Sequence, residues 1–572
     1  MLDGGDLMIL AIDVGGTHTD AVLLDSTGVV GSAKVPTKKE DLLECVLQAI
    51  DQVIQGCPVE QIEKVNLSTT LTTNAIVENK GEKVGLFILP GPGINPQTLL
   101  IGEENVILSG YIDHRGREVA PIYEEEIIRG IEKLKEKNIK YIAVVGKFST
   151  RNNKHELAVE RIIRKNYPQV EDVVLGHTLS GSLNFPRRVA TAYLSTKIKK
   201  IHKNFVYSIQ DALKIRNISA PVYLLKADGG TVELINSLHK PVETALSGPA
   251  ASIMGAISLV DYNGTAIVLD IGGTTMDLAI LVDNVPLFQP KGAIIGDYKT
   301  LVRALYTKSF GLGGDSVVSL VGDQLKIGPE RMGPAACLGG PCPTPTDAFS
   351  VLNLTDLGKR ELAVAAYQGI ANSLGLEVKE VAEMVLDKVK KIIIGHINEA
   401  INEFKDQPVY TIHELLENFT LNPDLLIGIG GPAHLIIPLI ASELNWLYSI
   451  PKDTTVANAI GAGCARTTAI ITLRVDTAEG FLSIPEYSYR ETLSSSSRIT
   501  INEAEAMAVD WIRKKASEMS IPRSDLDVEI TESQSFNVVD GFYTVGRIMD
   551  ITAQIKPGIS SMISIDKEAV SK

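Results

Sequence analysis

Cysteine is scarce in this 572-residue chain, and what the sequence lacks narrows the field before any motif is read. Five cysteines, at positions 45, 57, 337, 342 and 464, are too few and too scattered for a disulfide framework, so a reducing, cytoplasmic setting is expected. Aromatic residues are only 5% of the total. Positive charge is in deficit: the net charge is −14 and the isoelectric point lies near 5.3. That balance argues against nucleic acid or an anionic membrane as the main partner. No uncharged run reaches the length of a spanning helix. The start, MLDGGDLMILAIDVGG, has no basic region and is broken by Asp13, so neither signal peptide nor anchor is expected. A Gly-x-Ser-x-Gly elbow and a Gly-x4-Gly-Lys-Ser/Thr loop are both missing, which removes the elbow-hydrolase and P-loop readings.

What is present is an aliphatic α/β composition, 45% hydrophobic and 22% charged. The chain is too long for one core and is expected to divide into two large lobes and something smaller. An internal duplication organises it. IDVGGTHTDAVLL, from Ile12 to Leu24, is repeated by LDIGGTTMDLAIL, from Leu269 to Leu281. In each copy an Asp is followed at +2, +3 and +4 by Gly-Gly-Thr and at +7 by a second Asp. Apolar, β-prone runs on either side make each copy a strand–turn–strand hairpin. Glycines leave the turn's N–H groups bare for phosphate oxygens, and Thr adds a hydroxyl. The leading carboxylates, Asp13 and Asp270, stand at strand ends, where they can hold Mg²⁺ through water or orient an attacking group. Two such hairpins, one opening each half, predict a nucleotide gripped between similar lobes. A third element, Leu425 to Ile427 followed by Gly428-Ile429-Gly430-Gly431-Pro432-Ala433 and an apolar helix, offers a backbone approach to a purine or an α-phosphate. Read alone, it also fits a dinucleotide fingerprint and hence an oxidoreductase. The strand–helix repeats of a Rossmann half do not follow it cleanly.

These three elements, in this order, resemble the superfamily of actin, heat-shock chaperone ATPases and sugar kinases. Within it the chain resembles the hydantoinase A/oxoprolinase family over nearly all of residues 8 to 470. The matching stretches are TTLTTNAIVENKG (69 to 81), SGYIDHRGREVAP (109 to 121), LKADGG (225 to 230), ETALSGPAAS (243 to 252), GLGGDS (311 to 316), GGPCPTPTDA (339 to 348), IGGPAH (429 to 434) and ANAIGAG (457 to 463). The resemblance implies an α/β fold, a two-lobed actin-like (ribonuclease H-like) ATPase with a small C-terminal α/β domain. It implies ATP and Mg²⁺ as cofactors, phosphorylation of a ring carbonyl oxygen, and ring-opening hydrolysis of a cyclic amide such as a hydantoin, lactam or 5-oxoproline. A hydantoinase B-type subunit would complete the hydrolysis, and an oligomer is expected. Related pairs in carboxylase complexes apply the same activation to ketones. The implied nucleotide residues are Asp13, Gly15, Gly16, Thr17 and Asp20, then Asp270, Gly272, Gly273, Thr274 and Asp277, with Gly430 and Gly431 on the nucleoside side. Asn74, Asp228, Ser247, Asp315 and Asp347 are candidate cleft residues, the first four as substrate contacts. Ser247 and Asp228 also sit in turn-forming sequences, for which a structural turn is the default. The family's larger members carry a longer C-terminal domain, and here the tail SQSFNVVDGFYTVGRIMDITAQIKPG (533 to 558) departs from it. That departure also motivates a second reading, a nucleotide-gated regulatory or partner-binding module.

The expected units are a first lobe at 8–255, a second at 256–470 and a small α/β domain at 471–572. Val378 to Phe404 has apolar residues at helical spacing and reads as a long packing helix. Asn502 with Glu505 reads as a cap before a helix carrying Ala508, Trp511, Ile512, Ala516 and Met519 on one face. Met549, Ile551, Ala553 and Ile555 alternate as in a one-sided strand, stopped by Pro557-Gly558. Ser494 to Ser497 reads as a short loop. Cys337 and Cys342 lack the second pair of a metal site, and the pairs His155-Glu156 and His413-Glu414 lack a second His. Lys34 to Lys39 and Lys197 to Lys203 are read as solvated basic faces.

Overall fold

The structure is a computed structural model and describes residues 8–38, 41–405, 421–493, 499–519, 521–561 and positions 563, 565 and 567. The Ser494 to Ser497 run, His413-Glu414, Lys39 and the first seven residues lie outside the described set. Two sheets repeat one plan. In the first, strand Met8–Val14 pairs antiparallel with His18–Asp25 and parallel with Ile62–Thr69, and Val222–Leu225 extends the parallel side. In the second, Thr265–Ile271 pairs antiparallel with Met276–Val282 and parallel with Leu425–Ile429, with Leu447–Ser449 next. The continuous apolar runs Ile9 to Ile12 and Ala266 to Leu269 fit strands covered on both faces, and all eight residues are buried. The two-lobed α/β architecture expected from the sequence is therefore present.

Two helices rich in small residues, Ser247–Leu259 and Ala457–Cys464, cross between the sheets. A Cβ on Gly461 would stand 2.0 Å from the Ala251 carbonyl oxygen, and one on Gly255 2.2 Å from that of Ala457, so the glycines set the closeness of the crossing. One buried cluster takes Ala11 and Val22 from the first sheet, Val268 and Ile427 from the second, and Ala251 and Ile460 from these helices. Both sheets thus rest on a shared core.

A four-stranded parallel sheet, Asp172–Leu175, Tyr141–Gly146, Val84–Leu89 and Glu104–Ile107, is built from the segment inserted into the first half. The C-terminal region is a five-stranded antiparallel sheet covered by helix Ile501–Glu518. Met549, Ile551, Ala553 and Ile555 face that helix, as their alternation predicts, and the strand ends at Ile555. The helix Val378–Lys405 buries Val381, Val385, Val389, Ile393, Ile397 and Ile401.

Three local expectations need correcting. The cap of the C-terminal helix is Thr500 with Glu503, a reciprocal capping box two residues before the Asn502–Glu505 pair. Ser247-Gly248-Pro249-Ala250 is the first turn of a 13-residue helix and not a free turn; Leu246 before it takes the left-handed conformation at φ 64°. The basic clusters are not all solvated: Lys197 is buried, with Glu103 3.4 Å away, and Lys34 reaches an acidic partner described below.

Candidate functional site at the twin hairpins

Register makes the two hairpins chemically equivalent. Asp13 stands opposite Asp20 across the first and Asp270 opposite Asp277 across the second. In each turn the first glycine donates its N–H to the carbonyl three residues on, Gly15 to His18 at 3.0 Å and Gly272 to Thr275 at 2.9 Å. A Cβ at Gly15 would sit 2.8 Å from that carbonyl oxygen, which is why the turn requires glycine there.

Each leading carboxylate is held by a serine hydroxyl. Ser68 donates to Asp13 Oδ1 at 2.5 Å from the parallel neighbour strand. Ser252, on the crossing helix, donates to Asp270 Oδ2 at 2.5 Å, with Asn458 Oδ1 3.0 Å from the same hydroxyl. The two sites approach each other closely enough for their charges to interact. Burial pushes Asp13 up to about 6, Ser68 opposes this, and the charges of Asp20 and Asp270 add to it. Burial, then the charge of Asp270, pushes Asp277 up to about 6, and Ser309 donates to it. Burial also raises Asp270 and Asp20. Lys34 meets Asp20 at 2.7 Å and donates to the Thr455 carbonyl at 3.2 Å, tying the first sheet to the segment before the second crossing helix. Four carboxyls whose charge burial disfavours form a site chemically suited to a cation. Among the described residues no group of three or more His, Cys, Asp or Glu is arranged to hold a metal ion.

The remaining candidates sort by contact. Gly430, at φ 88°, abuts the second hairpin: a Cβ there would stand 2.3 Å from the Ile271 carbonyl oxygen and 2.9 Å from Asp270 Oδ1. Gly431 faces open space. Gly314 and Asp315 donate their N–H groups to the Gly272 and Gly273 carbonyls at 3.0 and 2.8 Å, so GLGGDS is strapped onto the second turn. Asp315 there pairs with Arg331 at 2.8 Å. Asn74, Gly15, Gly16, Thr37 and Thr70 line a cavity of about 210 Å³ at the first turn. Three candidates have their side chains engaged elsewhere. Ser247 Oγ donates to the Thr69 carbonyl at 2.7 Å, Asp228 holds Lys226 and the Gly230 N–H, each at 3.0 Å, and Asp347 accepts from the N–H groups of Ala336, Cys337 and Thr344. Sequence reasoning missed Lys34, Ser252, Asn458 and Arg331. Ser252 and Asn458 lie in the quoted stretches ETALSGPAAS and ANAIGAG, whereas Lys34 and Arg331 carry no local signal. A larger cavity, about 520 Å³, lies away from the hairpins between residues 226–243 and 468–519. Its lysines already face carboxylates, as in Lys240–Glu243 and Lys515–Glu518, so volume alone does not mark it as the site.

Among the described residues no helix is long and apolar enough to cross a membrane. The family model described as hydantoinase/oxoprolinase matches residues 188–471, and that of the hydantoinase/oxoprolinase N-terminal region matches residues 9–167. The chain is 27% identical to the acetophenone carboxylase gamma subunit of Aromatoleum aromaticum over 482 residues, covering 74% of this chain and 64% of that protein. It is 25% identical to caprolactamase subunit alpha of Pseudomonas jessenii, covering 79% of this chain and 69% of that one. The chain therefore spans about two thirds of the length of these relatives. A nucleotide-free structure of acetone carboxylase, from a study of ATP-dependent acetone carboxylation, superposes with a TM-score of 0.71 at 15% identity. That match covers 97% of this chain and 88% of the other, and it shows a shared fold.

Proposed function

The chain belongs to the hydantoinase/oxoprolinase family, and from that premise we propose that it binds ATP between its twin hairpins and uses it to activate the carbonyl of a cyclic amide for ring opening. The observation that carries this reading is the pairing of two Asp-x-Gly-Gly-Thr turns, with interacting buried carboxyls, on two sheets of the same plan. Gly15 and Gly272 close the turns with their own N–H groups, Gly16 and Gly273 offer N–H groups to phosphate oxygens, and Thr17 and Thr274 add hydroxyls. Gly430 lets the backbone close on the second hairpin, and Gly431 leaves room for the nucleoside side. Asp13 and Asp270 are the residues that would hold Mg²⁺ through water, and the ion would supply neutralisation of phosphate charge.

The proposed step is transfer of the γ-phosphoryl group to the ring carbonyl oxygen. The oxygen–phosphorus bond forms as the bond to ADP breaks. Water then adds to the activated carbon, the ring C–N bond breaks as the nitrogen takes up a proton and leaves an acyl phosphate, and a second water splits that phosphate from the free acid. The fixed carboxylates and turn amides contribute by positioning and by compensating charge. A hydantoinase B-type subunit is the proposed partner for the hydrolytic half. A second reading, activation of a ketone in a carboxylase, is favoured by the similarity to acetophenone carboxylase gamma subunit.

Calorimetry with Mg-ATP tests the site. Binding by the purified chain that Asp13→Ala and Asp270→Ala each weaken at least about tenfold, or 1.4 kcal/mol, is expected. Absence of binding to the folded wild type would remove the proposal. With a hydantoinase B-type subunit present, ADP release should be stimulated by hydantoins, lactams or 5-oxoproline. Stimulation by ketone and bicarbonate instead would select the second reading.

A further inference from the structure

Away from the hairpins, the imidazole of His177 is fully buried beside a fully buried carboxylate. His177 Nδ1 lies 2.5 Å from Glu156 Oε2, which also accepts the His177 N–H at 3.0 Å; Oε1 accepts the Gly146 N–H at 2.7 Å. Burial opposes ionisation of Glu156, but the charge and hydrogen bonds of His177 outweigh it and hold the carboxyl below its usual range. In the neutral imidazole, an ionised partner at Nδ1 keeps the single proton there and leaves Nε2 as an acceptor. Nε2 faces Asn153 Nδ2 at 3.2 Å and Ser488 Oγ at 3.0 Å.

Ser488 comes from the C-terminal sheet, 311 positions from His177 in the chain. It is exposed, and its φ of 50° places a non-glycine residue in the left-handed region. Its turn is pinned to the loop that follows the His177 helix, since the Gly181 N–H donates to Glu486 Oε1 at 3.0 Å. Satisfying a buried histidine would need only Glu156 and Asn153. The extra hydroxyl, presented from another layer on a constrained turn, has the geometry of a nucleophile, a base and an orienting acid. Two cavities meet at this hydroxyl. One, about 40 Å³, is lined by Arg151, Asn153, His177, Tyr489 and Arg490 and admits a group of a few heavy atoms. The other, about 360 Å³, opens past Thr178, Lys240 and Tyr487.

We propose that Ser488, His177 and Glu156 form a second catalytic centre that hydrolyses small acyl esters, independently of the twin-hairpin site. Ser488 Oγ attacks the acyl carbon as its proton passes to His177 Nε2. The bond to the leaving oxygen breaks as Nε2 returns that proton to it. Water then repeats the sequence on the acyl-serine, releasing the carboxylic acid and restoring Ser488. Arg151 and Arg490 line the smaller cavity with Ser488, and their positive charge favours the developing oxyanion.

The test uses the full chain without nucleotide. A fluorophosphonate probe should label Ser488 in peptide mapping, and p-nitrophenyl acetate should be hydrolysed. Ser488→Gly suits the left-handed backbone and removes the nucleophile, so it should retain the wild-type melting temperature and lose at least about 100-fold in rate. Labelling elsewhere or not at all, or unchanged hydrolysis in Ser488→Gly, would overturn the proposal.

Discussion

At the scale of single residues, the hairpin carboxyls set the pH behaviour. Burial moves Asp13 from an ordinary 3.8 to about 6. Between those values the folded chain holds a proton that the unfolded chain has released, so this group makes stability fall as pH rises through the interval. Above it, the buried charge costs at most roughly 3 kcal/mol, at about 1.4 kcal/mol per unit. Asp277, also at about 6, acts with the same sign. Asp13→Asn removes the charge and keeps an acceptor for Ser68. Without ligand, the variant should melt above the wild type near neutral pH, and the difference should vanish toward pH ~3, below both values, where Asp13 is protonated in both states. Thermal melts across that range read it; an advantage that persisted at the acidic end would show that charge is not its source. A bound cation offsets the same cost, so Mg-ATP affinity should fall as pH drops through the carboxyls' raised range.

At the scale of elements, adjacent glycines are expected to separate structure from binding. Gly430→Ala forces a Cβ to within 2.3 Å of the Ile271 carbonyl oxygen at a φ that L-residues avoid, so it should cost at least about 2 kcal/mol and displace Asp270. Gly431→Ala meets nothing within 4 Å, so its stability should stay within about 0.5 kcal/mol of wild type while nucleotide affinity drops. Urea melts beside calorimetry distinguish the two effects. The hairpins were legible because Asp-x-Gly-Gly-Thr is a local pattern whose spacing survives into register, Asp13 to Asp20 and Asp270 to Asp277. Lys34 and Arg331 were not, because their partners are set by strand pairing and loop packing. The helix cap was misplaced because Thr500-x-x-Glu503 and Asn502-x-x-Glu505 overlap. Both are box-like sequences, and the earlier one forms both reciprocal bonds. Glu156, His177 and Ser488 are assembled by three separate elements, the helices Lys154–Asn166 and Gly176–Leu179 of the inserted segment and a turn of the C-terminal region, so no sequence window holds them.

At the scale of the whole molecule, the C-terminal sheet is stitched to the inserted parallel sheet of the first half. Asp550 is the centre of that seam: Arg474 of its own sheet lies 2.9 Å away and Arg151 of the insertion 3.4 Å. Both guanidiniums are largely buried, so Asp550→Asn leaves two poorly solvated cations facing each other and should cost about 2–4 kcal/mol. The loss should be regional. The chain has two tryptophans, Trp446 packed on the second-lobe core and Trp511 on the C-terminal core. With each replaced in turn by Phe, the Trp511 denaturation midpoint should fall in Asp550→Asn while the Trp446 midpoint holds. Equal shifts at both would mean that the seam is part of one cooperative unit. Because Ser488 reaches His177 across this same seam, loosening it should also slow ester hydrolysis. Mg-ATP binding, whose proposed residues lie on the other two sheets, should be unaffected.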